Sequence, residues 1–352
     1  MPSQTSYARA AIALLSAAAP FASAQLISDC NPTENSTCPP NVGLDTYTFE
    51  TDFTKGNESW EGAAYTFIEY GDDGAELTIN KDTDAPTMHT EFYTFFGYFE
   101  VEMKAAPGTG IVSSIVLESD DLDEVDWEIL GGNNTSVQSN YFGKGNTTSY
   151  DRGGFHDVET PVDTFHKYAF EWTNSSMNWI IDGTVVRTLK YEDAVGGKNY
   201  PQTPARLSLG VWSAGTEKTN KYTVEWAGGY TDFTKVPFTM YVKSVKIINY
   251  NPAKLYTWTD TTGDFTSIEL SNKTVAVNSS SVEDAATATA SVDHSGVVSN
   301  GSGSSAASSV SGSSTPFSQS GNSAATSLMD SSAWMITSTI SLVGFAVGFS
   351  LI

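Results

Sequence analysis

The stretch DEVDWEIL, residues 123–130, alternates acidic with apolar side chains. Because successive side chains of a β-strand point to opposite faces, this alternation predicts a strand with two different faces. Glu124, Asp126 and Glu128 share one face, and the apolar residues between them share the other. The apolar face is suited to a core, so the stretch predicts a strand that packs on one side and carries three carboxylates on the other.

Similar short alternating segments occur throughout residues 40–270. A hairpin is predicted over residues 178–189, because Asp182-Gly183 is a turn signal between two apolar arms. The other predicted strands are residues 95–103, 114–118, 124–130, 137–142, 165–172, 206–212 and 241–250. Apolar spacing typical of a helix does not extend beyond about two turns. These features predict an all-β fold, in which two antiparallel sheets form a sandwich.

Both ends of the chain carry processing signals. Residues 1–24 combine Arg9, a short apolar run and small residues before the end, which predicts a secretory signal peptide cleaved after Ala24. Residues 335–352 are uncharged, and small residues and a polar spacer precede them. This order predicts a GPI-attachment signal, with Asn322 as the attachment residue and residues 323–352 as the propeptide. We therefore expect a cell-surface protein, anchored to the plasma membrane or linked to the wall.

Composition separates one predicted domain, residues 25–270, from a low-complexity region, residues 271–322. The second region is rich in Ser and Thr and cannot bury enough apolar surface to offset its ordering entropy. We expect it to be an O-glycosylated stalk. The whole chain has 18 basic and 41 acidic side chains. Phosphates would repel this charge, so nucleic acid is excluded as a partner.

Cysteine and asparagine positions indicate covalent modification. Cys30 and Cys38 are the only cysteines, and in an oxidising compartment they are predicted to form a disulfide. No Cys/His cluster has metal-ligand spacing, so we expect neither a metal nor a cofactor. N-glycosylation sequons occur at Asn35, Asn57, Asn133, Asn134, Asn146, Asn174, Asn272, Asn278 and Asn300.

Crowded carboxylates resist simultaneous ionisation, so at least one pKa in the row should be raised. A protonated carboxyl beside an ionised one is what glycosidic bond cleavage requires. Acids at this spacing also occur on solvated strand faces, however. Cα atoms at positions i and i+4 are ~13 Å apart, whereas retaining glycosidases hold their carboxyl groups ~5–5.5 Å apart. Spacing alone therefore leaves both interpretations open.

The acidic row resembles the E-x-D-x-E signature of glycoside hydrolase family 16, and its surroundings resemble the fungal Crh branch of that family. The similar stretches are residues 113–117, 119–124, 138–145, 200–204 and 225–229. The likeness extends from about Cys30 to about Gly263 and implies a concanavalin-like β-jelly roll with a glycan cleft across one sheet. It also implies a retaining mechanism. Glu124 would be the nucleophile, Glu128 the acid/base and Asp126 an auxiliary carboxylate.

Crh proteins are GPI-anchored enzymes of the fungal wall. The resemblance implies that this chain cleaves chitin and transfers the fragment to β-glucan or chitin. A hydrolase of chitin or β-glucan on the same fold remains open, as does a non-catalytic glycan-binding wall protein, although the intact acids disfavour the latter. Some Crh proteins carry a Cys-rich chitin-binding module, which a chain with two cysteines lacks. We therefore expect the cleft alone to capture the substrate.

Sugar binding needs flat aromatic faces and polar groups that reach hydroxyls. The predicted substrate-binding residues are Gln138, Asn140, Tyr141, Trp212, Trp226 and Tyr230. Packing in the core is the alternative for each aromatic residue, and it is what we expect for Trp172 and Trp179. His156 and His166 are expected to be structural or exposed, because no G-x-S-x-G elbow accompanies them.

Overall fold

The computed structural model describes residues 30–63, 66–148 and 152–271. The predicted signal peptide, the stalk and the GPI signal with Asn322 lie outside these residues. So do the sequons at Asn272, Asn278 and Asn300. No helix within the described ranges is long and apolar enough to cross a membrane.

Strands make up nearly all of the regular secondary structure of the described residues, which confirms the predicted all-β fold class. The first nine strands are β1 Asn41–Val42, β2 Thr48–Asp52, β3 Trp60–Gly62, β4 Ile68–Gly71, β5 Gly74–Ile79, β6 Thr87–Thr90, β7 Gly97–Lys104, β8 Ile111–Ser119 and β9 Glu124–Leu130. The next nine are β10 Ser136–Phe142, β11 Gly154–Asp157, β12 His166–Trp172, β13 Ser176–Ile181, β14 Thr184–Lys190, β15 Ala205–Ser213, β16 Phe238–Asn249, β17 Leu255–Trp258 and β18 Ile268–Ser271. The helical segments described are α1 Lys221–Trp226 and the 3-10 turns Tyr191–Asp193, Phe233–Lys235 and Phe265–Ser267.

Two large sheets face each other. The first is seven-stranded, in the order β11-β10-β9-β8-β15-β6-β3. The second has the order β14-β13-β12-β7-β16-β5-β4, and β2 also pairs with β16. A small third sheet has the order β1-β17-β18. Strand β9, with its acidic row, therefore lies inside the first sheet rather than at an edge.

The core between the large sheets holds the apolar face of β9. Val125, Trp127 and Ile129 are buried there. The indole of Trp127 donates to the Ala169 carbonyl at 3.3 Å, and that of Trp179 donates to the Asp126 carbonyl at 3.1 Å. These bonds satisfy polar groups that would otherwise be buried without partners and fix β9 against the second sheet. Trp172 and Trp179 are both buried, as predicted.

Several predicted elements are confirmed. The hairpin is formed by β13 and β14, which turn at Asp182 and Gly183. The disulfide joins Cys30 to Cys38. Strands β1 to β6, β11 and the last two strands are not among those predicted. They are short, from two to six residues, so alternation of polar and apolar side chains has little room to appear in them.

Candidate active site

The acidic row of β9 lies on the face of the seven-stranded sheet that is turned away from the core. Relative exposure is 3% for Glu124, 1% for Asp126 and 9% for Glu128. A solvated acidic strand face is therefore the wrong interpretation, because these side chains are almost completely removed from water. Burial of so many carboxyl groups is costly unless they share protons or hydrogen bonds.

Strand pairing brings two predicted substrate-binding residues beside the acids. In β10, Gln138 lies directly opposite Glu128, and Asn140 lies opposite Asp126. Directly opposed side chains share a face of the sheet, so all four side chains line one surface. The Asn140 side-chain oxygen accepts a hydrogen bond from the Tyr141 backbone at 3.0 Å.

Strand β8 adds an acid that the sequence interpretation missed. Glu118 lies directly opposite Glu124 and is only 6% exposed. Its charge contributes to the raised pKa of Asp126. The segment around Ser114 and Glu118 is correctly predicted as a strand, but alternation within a strand does not give its register with a neighbour. The site therefore contains four neighbouring acidic side chains.

The pKa values of the acidic row are strongly perturbed. Burial and the charge of Glu124 raise the pKa of Glu128 to about 8. The pKa of Asp126 is raised well above its usual range, mainly by burial and then by the charges of Glu124 and Glu128. A hydrogen bond between Asp126 and Glu124 adds to this shift. At neutral pH Glu128 therefore retains its proton, and burial and neighbouring charges also favour the neutral form of Asp126, so the site holds fewer negative charges than its composition suggests.

An aromatic pair lies on the same face, in register with the position two residues after Glu128 in β9. Trp212 of β15 stacks on Trp226 of α1, with ring centroids 6.3 Å apart and planes inclined by 25°. The Trp226 indole donates to the Gln138 side-chain oxygen at 2.7 Å. Because Gln138 is also the cross-strand neighbour of Glu128, this bond connects the aromatic pair to the acidic row. The predicted residues Trp212, Trp226 and Gln138 are thus brought together.

Gly153 makes this arrangement possible. The Gln138 amide nitrogen packs so closely over Gly153 that a Cβ at that position would overlap it. A larger residue there would push Gln138 away from Trp226.

Two other predicted substrate-binding residues have different environments. Tyr141 was predicted to contact sugar, but this is wrong. It lies opposite Val125 on the core face, is 7% exposed and packs against Trp179. Tyrosine suits either face of a strand, and here its neighbours in the core determine the side. Tyr230, in contrast, is exposed beyond the end of α1, and its role stays a prediction.

A second acidic cluster supports the chain where it enters β9. The Asp123 carboxylate accepts hydrogen bonds from the backbone of Lys144 at 2.9 Å and of Gln202 at 2.8 Å. The Thr203 hydroxyl lies 2.7 Å from Asp121 and 2.8 Å from Asp123. Burial and the charge of Asp123 raise the pKa of Asp121 to about 8. Since Asp123 directly precedes Glu124, this cluster fixes the start of the acidic strand.

The histidines and possible metal ligands lie elsewhere. His156 is 2.8 Å from the Ser139 hydroxyl, and Ser139 lies opposite Trp127, on the core face. His166 contacts Asp182 at 2.8 Å in the second sheet. Throughout the described ranges, no group of three or more His, Cys, Asp or Glu side chains is placed to hold a metal ion.

Comparison with known proteins gives a consistent result. The family model for glycosyl hydrolases family 16 matches residues 55–228. Crh-like protein 5 of Aspergillus fumigatus is 56% identical over 265 residues, which are 75% of this chain and 67% of that protein. Crh-like protein 1 of the same fungus is 55% identical over 260 residues, 74% of this chain and 71% of that protein. A solved structure of a Crh5 transglycosylase in complex with NAG has 58% identity and a TM-score of 0.67, and covers 68% of this chain and 99% of that one.

A two-sheet sandwich with a row of dry carboxyl groups across one sheet defines an enzyme of the glycosidase type. Burial and mutual charge raise the pKa values of Asp126 and Glu128, and acid/base catalysis on a glycosidic bond requires such a protonated carboxyl beside a second acid. The chain belongs to glycosyl hydrolases family 16, and within this family to the Crh-like proteins.

Proposed function

We propose that this enzyme is a cell-wall transglycosylase that cleaves chitin with retention of configuration and transfers the fragment to β-glucan or chitin. The observation that carries the proposal is the raised pKa of Glu128, about 8, next to Glu124 on a face removed from water. A carboxyl group that keeps its proton at neutral pH can protonate a leaving oxygen. The NAG in the solved Crh5 transglycosylase complex, the repeating unit of chitin, supports the donor assignment.

In the first step, Glu124 attacks the anomeric carbon while Glu128 donates its proton to the glycosidic oxygen. The C–O bond to the leaving glycan breaks, and an ester bond forms between Glu124 and the donor fragment. Asp126, whose neutral form is favoured by burial, stabilises Glu124 before the attack through the hydrogen bond between the two side chains. Asp126 therefore positions the nucleophile and limits the repulsion within the row.

The ester changes the acidity of Glu128. Part of the rise in its pKa comes from the negative charge of Glu124, and the ester removes that charge. The pKa of Glu128 therefore falls in the intermediate, and the carboxylate left after the first proton transfer can act as a base. It takes the proton of an acceptor hydroxyl, which attacks the anomeric carbon and releases Glu124. The same pair of charges thus supports both halves of the reaction.

The choice between a glycan and water as acceptor depends on the surface beside Glu128. Trp212 and Trp226 offer a stacked aromatic surface, and Gln138 lies between that surface and the acid/base. Aromatic faces bind the apolar C–H faces of sugars, so this group can hold an acceptor glycan where water would otherwise react. We assign Trp212, Trp226 and Gln138 to acceptor binding. Asn140 is assigned to contact with donor hydroxyls from its place opposite Asp126.

The test is to incubate the purified secreted protein with chitin oligomers and a fluorescently labelled β-glucan oligomer. Labelled products heavier than the starting glucan, and sensitive to chitinase, would support the proposal. Shortened chitin oligomers without hybrid products would favour a hydrolase. Absence of any turnover, with binding retained, would favour a non-catalytic glycan-binding protein. Glu124→Gln should lose both transfer and hydrolysis.

We also propose that the enzyme acts at the cell surface on a GPI anchor attached at Asn322. The support is the order of small residues, spacer and uncharged apolar segment in the sequence. The disulfide between Cys30 and Cys38 agrees with folding in an oxidising compartment. A surface position would place the site among dense wall glycans, where acceptors compete well with water.

A further inference from the structure

A cavity of about 240 Å³ opens at one edge of the sandwich, away from the acidic row. It lies where β3, the edge strand of the first sheet, meets β4, the edge strand of the second. Strand β3 is four strand positions from β9, which corresponds to about 19 Å. The cavity is therefore separate from the active site.

The lining of the cavity is apolar and partly rigid. Trp60 and Met88 are buried, whereas Phe67 is 76% exposed at the mouth. Tyr70 also lines the cavity, and its ring stacks on buried Phe53 with 6.4 Å between centroids. An aromatic ring that is already fixed by packing on one face loses little side-chain entropy when a ligand covers its other face.

Asn57 forms part of the cavity wall and is the first residue of the sequon Asn57-Glu58-Ser59. It is exposed at the start of a turn, which the Trp60 backbone closes by donating to the Asn57 carbonyl at 3.2 Å. Its side chain lies near the Tyr70 hydroxyl and partly offsets the rise in the pKa of Tyr70 that burial causes. An exposed turn is accessible to the glycosylation machinery, so a sugar attached here would start at the cavity itself.

We infer that Asn57 carries an N-linked glycan whose first N-acetylglucosamine residue occupies this cavity and packs against Phe67 and Tyr70. In the attachment step, the Asn57 amide nitrogen forms a bond to the anomeric carbon. The bond from that carbon to the lipid-linked pyrophosphate donor breaks, and the amide proton leaves with the pyrophosphate. The amide retains one N–H, so its contact with the Tyr70 hydroxyl can persist.

The size of the cavity favours this occupant over a free polysaccharide. Sites for drug-sized ligands usually measure about 300–1,000 Å³, so this smaller cavity suits one pyranose ring rather than an oligosaccharide. The sugar would cover apolar surface at the open edges of both sheets. Covering such edges also hinders edge-to-edge association between molecules.

The experiment uses the full chain, secreted from a eukaryotic host, with glycopeptide mass spectrometry to measure occupancy. Ser59→Ala removes the sequon but keeps the Asn57 side chain, and Asn35→Gln removes a sequon in the disulfide loop as the matched control. Phe67→Ser is made in both the unaltered and the Ser59→Ala backgrounds. Because Phe67 is exposed, its substitution should not impair folding.

We expect Asn57 to be occupied and Ser59→Ala to lower Tm by about 2–4 °C, the shift typical of one modest contact in a domain of this size. Asn35→Gln should change Tm by less. Phe67→Ser should lower Tm only when the glycan is present, and trimming the glycan to a single N-acetylglucosamine should keep the stabilisation. An unoccupied Asn57 would overturn the inference. The inference would also be overturned if Ser59→Ala lowered Tm only as much as Asn35→Gln does, or if Phe67→Ser lowered Tm equally with and without the glycan.

Discussion

Glu128 has a raised pKa for two reasons that act in the same direction. Burial disfavours its charged form, and the charge of Glu124 repels a second charge nearby. Chemically identical side chains thereby acquire different roles, as in other carboxylate pairs that divide acid and nucleophile functions. The raised pKa of Glu128 supports the role of acid that the resemblance implies for it, and both roles can be tested at single residues.

Glu128→Gln should reduce turnover of chitin oligomers by about 10²- to 10⁴-fold, the usual contribution of a general acid/base group. The aryloxide of an aryl glycoside is a good leaving group that needs no proton, so the first step of Glu128→Gln should recover with such a donor. Rapid-mixing experiments would detect this recovery as a burst of released phenol. Glu124→Gln should show no burst with either donor, and Glu100→Gln in the second sheet is the control. If the aryl glycoside restored the burst in Glu124→Gln but not in Glu128→Gln, the two assigned roles would have to be exchanged.

Stability should depend on pH through the same group. The pKa of Glu128 is about 8 in the folded protein, whereas an unfolded glutamate has a pKa of about 4.3. Since folding raises this pKa, the contribution to stability is full below about pH 4 and is lost as the pH rises through about 8. Glu128→Gln removes the titration and should raise Tm near neutral pH, by about 2–4 °C per kcal/mol gained.

Thermal melts of the wild type and Glu128→Gln across this pH range check the prediction. The gain in Tm should shrink towards acidic pH, where the wild-type carboxyl is protonated in both states. A gain of equal size at every pH would indicate a packing effect rather than a titration. Glu100→Gln, which loses the surface contact with Lys167, should show no comparable gain.

At the scale of elements, β9 depends on the loops that hold its start. Leu122 and Lys144 both have positive φ, 65° and 50°, which is uncommon outside glycine. Both residues belong to the turns around buried Asp121 and Asp123, where hydrogen bonds fix the chain. The Lys144 charge opposes the rise in pKa of both aspartates. A residue far from the reacting bond thus supports the position of Glu124.

Lys144→Ala should destabilise the domain by about 1–3 kcal/mol, because it removes the positive charge that offsets the repulsion between buried Asp121 and Asp123. Urea unfolding followed by tryptophan fluorescence measures the change. Lys235→Ala is the control, since its contact with Asp232 is exposed and should be worth less than about 1 kcal/mol. A similar small effect for Lys144→Ala would show that the acids are already neutralised by protons. Asp121→Asn in the Lys144→Ala background should then have no restoring effect.

At the scale of the whole molecule, the described domain and the predicted terminal signals would have separate functions. The domain carries the site, and the terminal segments would determine where the site acts. If the GPI prediction is correct, phosphatidylinositol-specific phospholipase C should release active enzyme from spheroplast membranes. Deletion of residues 323–352 should direct the enzyme to the medium with its specific activity unchanged. Retention on membranes after that deletion would contradict an anchor at Asn322.

Features that depend on neighbouring residues along the chain could be predicted from the amino-acid sequence alone. The alternation in residues 123–130 gave the strand, its apolar face and the shared face of Glu124, Asp126 and Glu128. The turn pair at Asp182-Gly183 gave the hairpin, and the spacing of Cys30 and Cys38 was compatible with the disulfide. These signals are local, because side-chain direction and turn geometry repeat over two to four residues.

Strand pairing and the exclusion of water from the acidic row became apparent in the folded domain. It placed Glu118 opposite Glu124, joined Trp226 to Gln138 and moved Tyr141 into the core. It also buried the acidic row, which raises the pKa of Glu128 to about 8. Register between distant strands depends on the packing of both faces and on all the connecting loops, so alternation within one strand cannot specify it. Burial likewise depends on the whole fold, and with it the protonation that distinguishes an active site from a row of surface acids.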